Sequence, residues 1–222
     1  MATTTPVRPP TETSSNGTSQ GDHVVTLTRR RLDTLFIGLG VAAVVVLVVA
    51  GGLLTWGANF ADDYVGDELS SQNITFPPAE ALEAQGRTDL LDYAGQTVDT
   101  GPEAEAYASY IDGHLTDIAD GATYAELGTP EREAEAAVEE AQASGASDTE
   151  VAALQAEADA ISAQRDSLFR GETLRGLLLS AYAWSTVGQI AWIAAIAAFV
   201  GAGIMLILVL LGGRHHHKVA SA

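Results

Sequence analysis

No cysteine occurs among the 222 residues, which excludes both a disulfide framework and a thiolate metal site. Lysine is almost absent too: Lys218 stands beside ten arginines, against 29 acidic residues and a formal net charge of −18. So acidic a chain lacks the cations that displace counterions around phosphates, which excludes nucleic acid as a partner. No G-x-S-x-G, P-loop or dinucleotide fingerprint is found, so the commonest hydrolase, NTPase and Rossmann signatures are missing.

The most informative scarcity is local. No charged side chain lies from Thr34 to Ala61, and no Asp, Glu, Lys, Arg or His between Arg175 and Arg214. As a helix, the apolar stretch Leu35 to Trp56 spans roughly 30 Å, the thickness of a bilayer's hydrocarbon core. Its run from Val44 to Val49 has no polar face, which argues against an amphipathic surface helix. A cleaved signal peptide would need a shorter lead-in and an A-x-A site, so the expectation is an uncleaved anchor over 32–56. The second charge-free interval would reach roughly 55 Å as one helix, too long for the hydrocarbon core. Only its later part, 190–212, is therefore expected in lipid. Gly176 to Gln189 should project outward and bury its leucines and aromatics.

Arg29, Arg30 and Arg31 precede the first segment, and Arg214 and Lys218 follow the second. The positive-inside rule then puts both termini in the cytoplasm, in the plasma membrane, with 57–189 outside. Trp56 and Trp192 would mark the outer interface, where an indole meets both lipid and water. Small residues at helical spacing (Gly38 with Ala42, Ala194 with Ala198, Ala197 with Gly201) permit close helix packing. The two segments packing on each other is the simplest expectation; a homodimer or a membrane-protein partner is the other.

Residues 1–31, rich in Thr, Ser and Pro, read as a disordered tail, and 213–222 as a second short tail. Asn16-Gly17-Thr18 and Asn73-Ile74-Thr75 match the glycosylation sequon. The outer segment 57–189 holds five arginines against 26 acidic residues. Within it, Tyr107, Tyr110, Ile111, His114, Leu115 and Ile118 form a helical apolar stripe, with Pro102 at the start, Gly121 at the end and Ala104 turned to water. A poorer helix is expected from Pro78 to Tyr93, followed by a loop or extended piece, AGQTVDTG.

Thr129-Pro130 is a helix start, Ser144-Gly145-Ala146 a break, and Ser147 to Glu150 a second start with capping-box spacing. Beyond it Val151, Leu154, Ala158, Ile161, Arg165 and Leu168 keep a 3-4 spacing. Either an antiparallel hairpin or a solvated helical arm satisfies that pattern. The fold class expected is all-α: two transmembrane helices with a small extracytoplasmic helical bundle.

LDYAGQTVDTGPEAEAYASYIDGHLTDIADGATYAEL and ETLRGLLLSAYAWSTVGQIAWIAAIAAFV carry a resemblance to a known family. The shared features are the turn at Ala94 to Val98, the helix ending near His114, the TYAEL at Tyr124 to Leu127, and Leu174-Arg175 before the second anchor. They resemble actinobacterial two-pass membrane proteins with a compact outer domain, many labelled aromatic ring-opening dioxygenase of the LigA type. Against that pattern 130–165 looks like an Ala/Glu-rich insertion. The label implies iron held by several His and carboxylate ligands.

This outer segment has His114 alone, without a facial triad or H-E-x-x-H pattern. Asp62, Asp63, Asp67 and Glu68 read as an acidic juxtamembrane loop, and His215, His216 and His217 as a tail cluster that cannot converge on one ion without unwinding. No catalytic, cofactor-binding or metal-binding residue is assigned. The function expected is non-enzymatic, presenting the acidic domain for protein interaction or envelope structure. The alternatives are an accessory subunit of a larger membrane complex and, last, a metal-dependent enzyme.

Overall fold

The computed structural model describes residues 29–220, with side-chain environments from 31 to 214. The N-terminal tail with Asn16, and the side chains of Arg29, Arg30, His215, His216, His217 and Lys218, lie outside the described residues. The order is α1 (Arg29–Ser71), α2 (Ala79–Ala84), a 3-10 turn (Thr88–Tyr93), α3 (Gly101–Ile118), α4 (Gly128–Ser144) and α5 (Asp148–Ala220). No strand occurs among the described residues, so the all-α class holds.

The apolar stretches are parts of longer rods: α1 has 43 residues, and α5 has 73, roughly 110 Å of continuous helix. Each is long and apolar enough to cross a membrane. They pack antiparallel on each other, the simpler of the two expected uses of their small residues. The seam follows a seven-residue repeat: Gly40, Leu47, Leu54 and Ala61 on α1, and Ala181, Gly188, Ala195, Ala202 and Val209 on α5, all buried or half-buried.

On α5 the expected small residues Ala194, Ala198 and Gly201 are half-buried and Gly201 faces Leu47, but on α1 the seam is not on the face first expected. A Cβ at Gly38 would touch nothing, and Ala42 and Ala197 are exposed. A Cβ at Gly40 would stand 2.5 Å from Val209, and one at Gly51 2.9 Å from the Phe199 ring. With small residues common on every side, spacing alone could not choose the face.

α3 starts on a full capping box. The Thr100 hydroxyl accepts from Glu103 N–H (3.4 Å), while the Glu103 carboxylate accepts from the N–H of Thr100 and of Asp99, both at 2.9 Å. Burial pushes the Glu103 carboxyl up, but those backbone donors and the Thr100 hydroxyl outweigh it and hold it below its ordinary value. After Ile118 the chain turns through Asp120 and Gly121, both at positive φ, as the Gly121 stop predicts.

The buried line of α3 differs from the expected stripe. Gly101, Ala104, Ala108, Ile111 and Leu115 are buried, Tyr107 and Tyr110 half-buried, and His114 and Ile118 exposed. Ala104, expected on the water side, is fully buried. The reason is closeness: the first half of α3 lies so near α5 that small residues (Gly101, Ala104, Ala108) take the contact line there, and the tyrosines flank it. The core joins α3 to Val65 and Leu69 of α1, Phe76 and Val98 of the intervening loop, and Leu168 and Leu178 of α5.

The single helix expected from Pro78 to Tyr93 is two short pieces, divided at Gly86, whose φ of +71° ends α2. The AGQTVDTG segment is extended where Val98 N–H donates to Ile74 O and Phe76 N–H to Gln96 O, each at 2.9 Å. That pairing seats Phe76 against Tyr93 and Tyr107, with ring centroids 5.2 and 5.1 Å away.

α4 folds back on α5 as a packed hairpin, burying Val138, Ala141, Ala158 and Leu168. Gly145 makes the turn in the left-handed region. Arg165 sits in the hairpin seam with a reason: its guanidinium pairs with Glu131, donates to Tyr124 O and lies 4.1 Å from the Tyr124 ring centroid.

Candidate functional site

The positions flagged by metal chemistry stay apart. His114 is exposed on α3, and Asp62, Asp63, Asp67 and Glu68 are exposed around α1. Among the described residues, no group of three or more His, Asp or Glu side chains could hold a metal ion. Four of the five arginines within 57–189 are spent on internal ion pairs: Arg87 with Asp89, Arg165 with Glu131, Arg170 with Asp166, and Arg175 with Asp112 and Glu172. Most of the acidic side chains are therefore left without an internal counter-ion, and the surface is strongly negative.

What the folding does build is an apolar face along the α1–α5 pair. Trp56, Phe60 and Tyr64, four residues apart on α1, stack in a ladder with centroids 5.9 and 6.1 Å apart. Each ring is more than half exposed. Above them a groove of about 340 Å³ runs between Tyr64, Val65, Leu69 and Ile74 on one side and Leu174, Leu177, Ala181 and Trp184 on the other. Glu68 borders it.

Gly176 to Gln189 was expected to bury its leucines and aromatics. Leu178 does so, whereas Leu177 and Trp184 remain 66% and 53% exposed.

Searches of protein families, curated proteins and solved structures find no match. The groove must therefore be read from its own chemistry. Its lining is mostly apolar, with Glu68, Gln72 and Ser180 as the polar members. Sequence reasoning missed it because Asp62, Asp63, Asp67 and Glu68 read as an acidic loop, whereas α1 runs on as helix to Ser71 and carries Phe60 and Tyr64 with it. The i, i+4, i+8 spacing of Trp56, Phe60 and Tyr64 was the available signal.

Proposed function

We propose a non-enzymatic integral protein of the plasma membrane, with both termini inside and an acidic helical domain outside for binding another membrane protein. Several observations support the membrane reading. The most apolar windows of α1 and α5 are only 11% and 17% buried, unlike the core helices of a soluble protein. α5 is remote from the N-terminus, so a signal sequence does not account for it. The antiparallel register, with Leu47 beside Gly201 and Ala58 beside Gly188, sets Trp56 and Trp192 at one height. That is the arrangement of an interfacial belt.

The observation that carries the binding role is the apolar groove rising past those tryptophans. Exposed apolar surface costs about 25 cal/mol per Å² in water, and this face continues from the lipid-facing sides of the same helices. The occupant it suits is the juxtamembrane helix of a partner protein, apolar on one side and carrying Lys or Arg to meet Glu68 and the unneutralised acids around it. A second copy of this chain would bring two acidic domains together and is disfavoured by charge. An accessory subunit of a larger complex is the second reading, favoured by the same groove.

Topology is tested with introduced cysteines in this cysteine-free chain. Thr123→Cys should react with an impermeant thiol reagent in intact cells, and Ser15→Cys and Ser221→Cys should not. The opposite pattern refutes the orientation.

The binding role is tested with a photo-cross-linking side chain in place of Leu177. It should join the chain to one discrete protein in intact cells, recovered stoichiometrically in mild detergent. The same group in place of the exposed Glu139 on α4 should not. Cross-links from position 177 to lipid alone, or to a second copy, would overturn the proposal.

A further inference from the structure

A second crevice lies on the other flank of the α1–α5 seam, and polar side chains share its lining with apolar ones. It measures about 420 Å³ and is walled by Asn59 and Asp62 of α1 and by Ser185, Gln189, Trp192 and Ile193 of α5. Ala58 is its buried floor. The crevice exists because the helices touch closely: a Cβ at Gly188 would stand 3.1 Å from that of Ala61, so the longer neighbours splay apart alongside. Ser185, on its wall, is also the residue against which Gly101 of α3 packs. The side chains of Asn59, Asp62, Ser185 and Gln189 make no hydrogen bond or ion pair with the rest of the described protein.

We infer that this crevice binds the headgroup of a zwitterionic phospholipid, with the ammonium on Asp62. The inference rests on the membrane reading, which sets Trp192 at the outer boundary. From there to Asp62 the crevice occupies the next two turns of α1, the depth of the headgroups. Each part of the lipid has a chemical counterpart. The Asp62 carboxylate accepts from the ammonium.

The phosphate needs donors, and the amide N–H groups of Asn59 and Gln189 and the Ser185 hydroxyl supply them. Ile193 and Ala58 meet the first methylenes of the acyl chains. An anionic lipid without an amine would set its phosphate against Asp62 and gain nothing there.

The test uses the full chain in nanodiscs containing equal phosphatidylethanolamine and phosphatidylglycerol, released for native mass spectrometry. Retained phosphatidylethanolamine should exceed phosphatidylglycerol about tenfold, the worth of one charge-assisted hydrogen bond. Asp62→Asn should abolish that preference, and Asp67→Asn, an exposed acid outside the crevice, should keep it. Equal retention of the two lipids, or an Asp62→Asn chain that still prefers phosphatidylethanolamine, overturns the inference. Free phosphoethanolamine displacing the lipid at equal concentration overturns it in favour of a soluble amine. Carbonate extraction separates the two readings. A chain released by carbonate refutes membrane insertion, whereas a resistant chain without lipid preference refutes only the headgroup site.

Discussion

Ala104→Asp is expected to unfold the α3 region while leaving the α1–α5 pair helical. Ala104 is fully buried in the core that also holds Val98, Ala108 and Leu115. A carboxylate there has no cation among its core neighbours and no water to solvate it, at a cost of several kcal/mol. Small domains have about 5–15 kcal/mol of total stability, so one such change removes a large share of it. Ile111→Asp should act alike, since Ile111 lies on the same buried line. Glu105→Ala, on the exposed side, should be tolerated. Limited proteolysis is the readout. Cleavage between residues 72 and 147 should rise sharply in the first two variants and not in the third, while far-UV circular dichroism keeps most of its helical signal. An Ala104→Asp chain as resistant as the parent would mean α3 does not pack where Ala104 points.

Gly101→Ala should be the more damaging of two glycine substitutions along α3 and α5, although alanine favours helix over glycine. The added Cβ at 101 would stand 2.3 Å from Ser185 Cβ and 3.6 Å from Tyr182 Cα, so α3 has to lift off α5. Overpacking of this kind costs about 1–3 kcal/mol. At Gly171 the clash is with the Leu115 methyl groups, at 2.4 and 2.8 Å. That side chain can rotate aside, so Gly171→Ala should lower the unfolding midpoint less. Ser185→Gly added to Gly101→Ala removes the opposing Cβ and should recover much of the loss. A double variant no more stable than Gly101→Ala would place the strain elsewhere. Urea unfolding in detergent, followed by tryptophan fluorescence, gives the midpoints.

Much of the architecture was open to reading in one dimension because it depends on local runs. Absence of charge from Thr34 to Ala61 and from Gly176 to Gly213 is enough to predict two long apolar helices. Gly145 and Gly121 stop helices through their own backbone freedom, and Pro102 starts one through its own ring. Other features needed partners distant in sequence. Gly40 rather than Gly38 faces the second helix, and Ala104 rather than Tyr110 lies deepest under α3, because each contact line follows the closest approach of two backbones.

Arg165 looked out of place in an apolar repeat until Glu131 and Tyr124 were brought beside it. The groove and the crevice lie furthest from such a reading. Each joins residues of α1 to residues of α5 more than 100 positions later, so the aromatic spacing on α1 marks at most one wall of the groove and nothing local shows the wall opposite. Periodicity assigns a residue to one side of its own helix; only the packed pair decides which side is covered, which is left open, and what stands opposite.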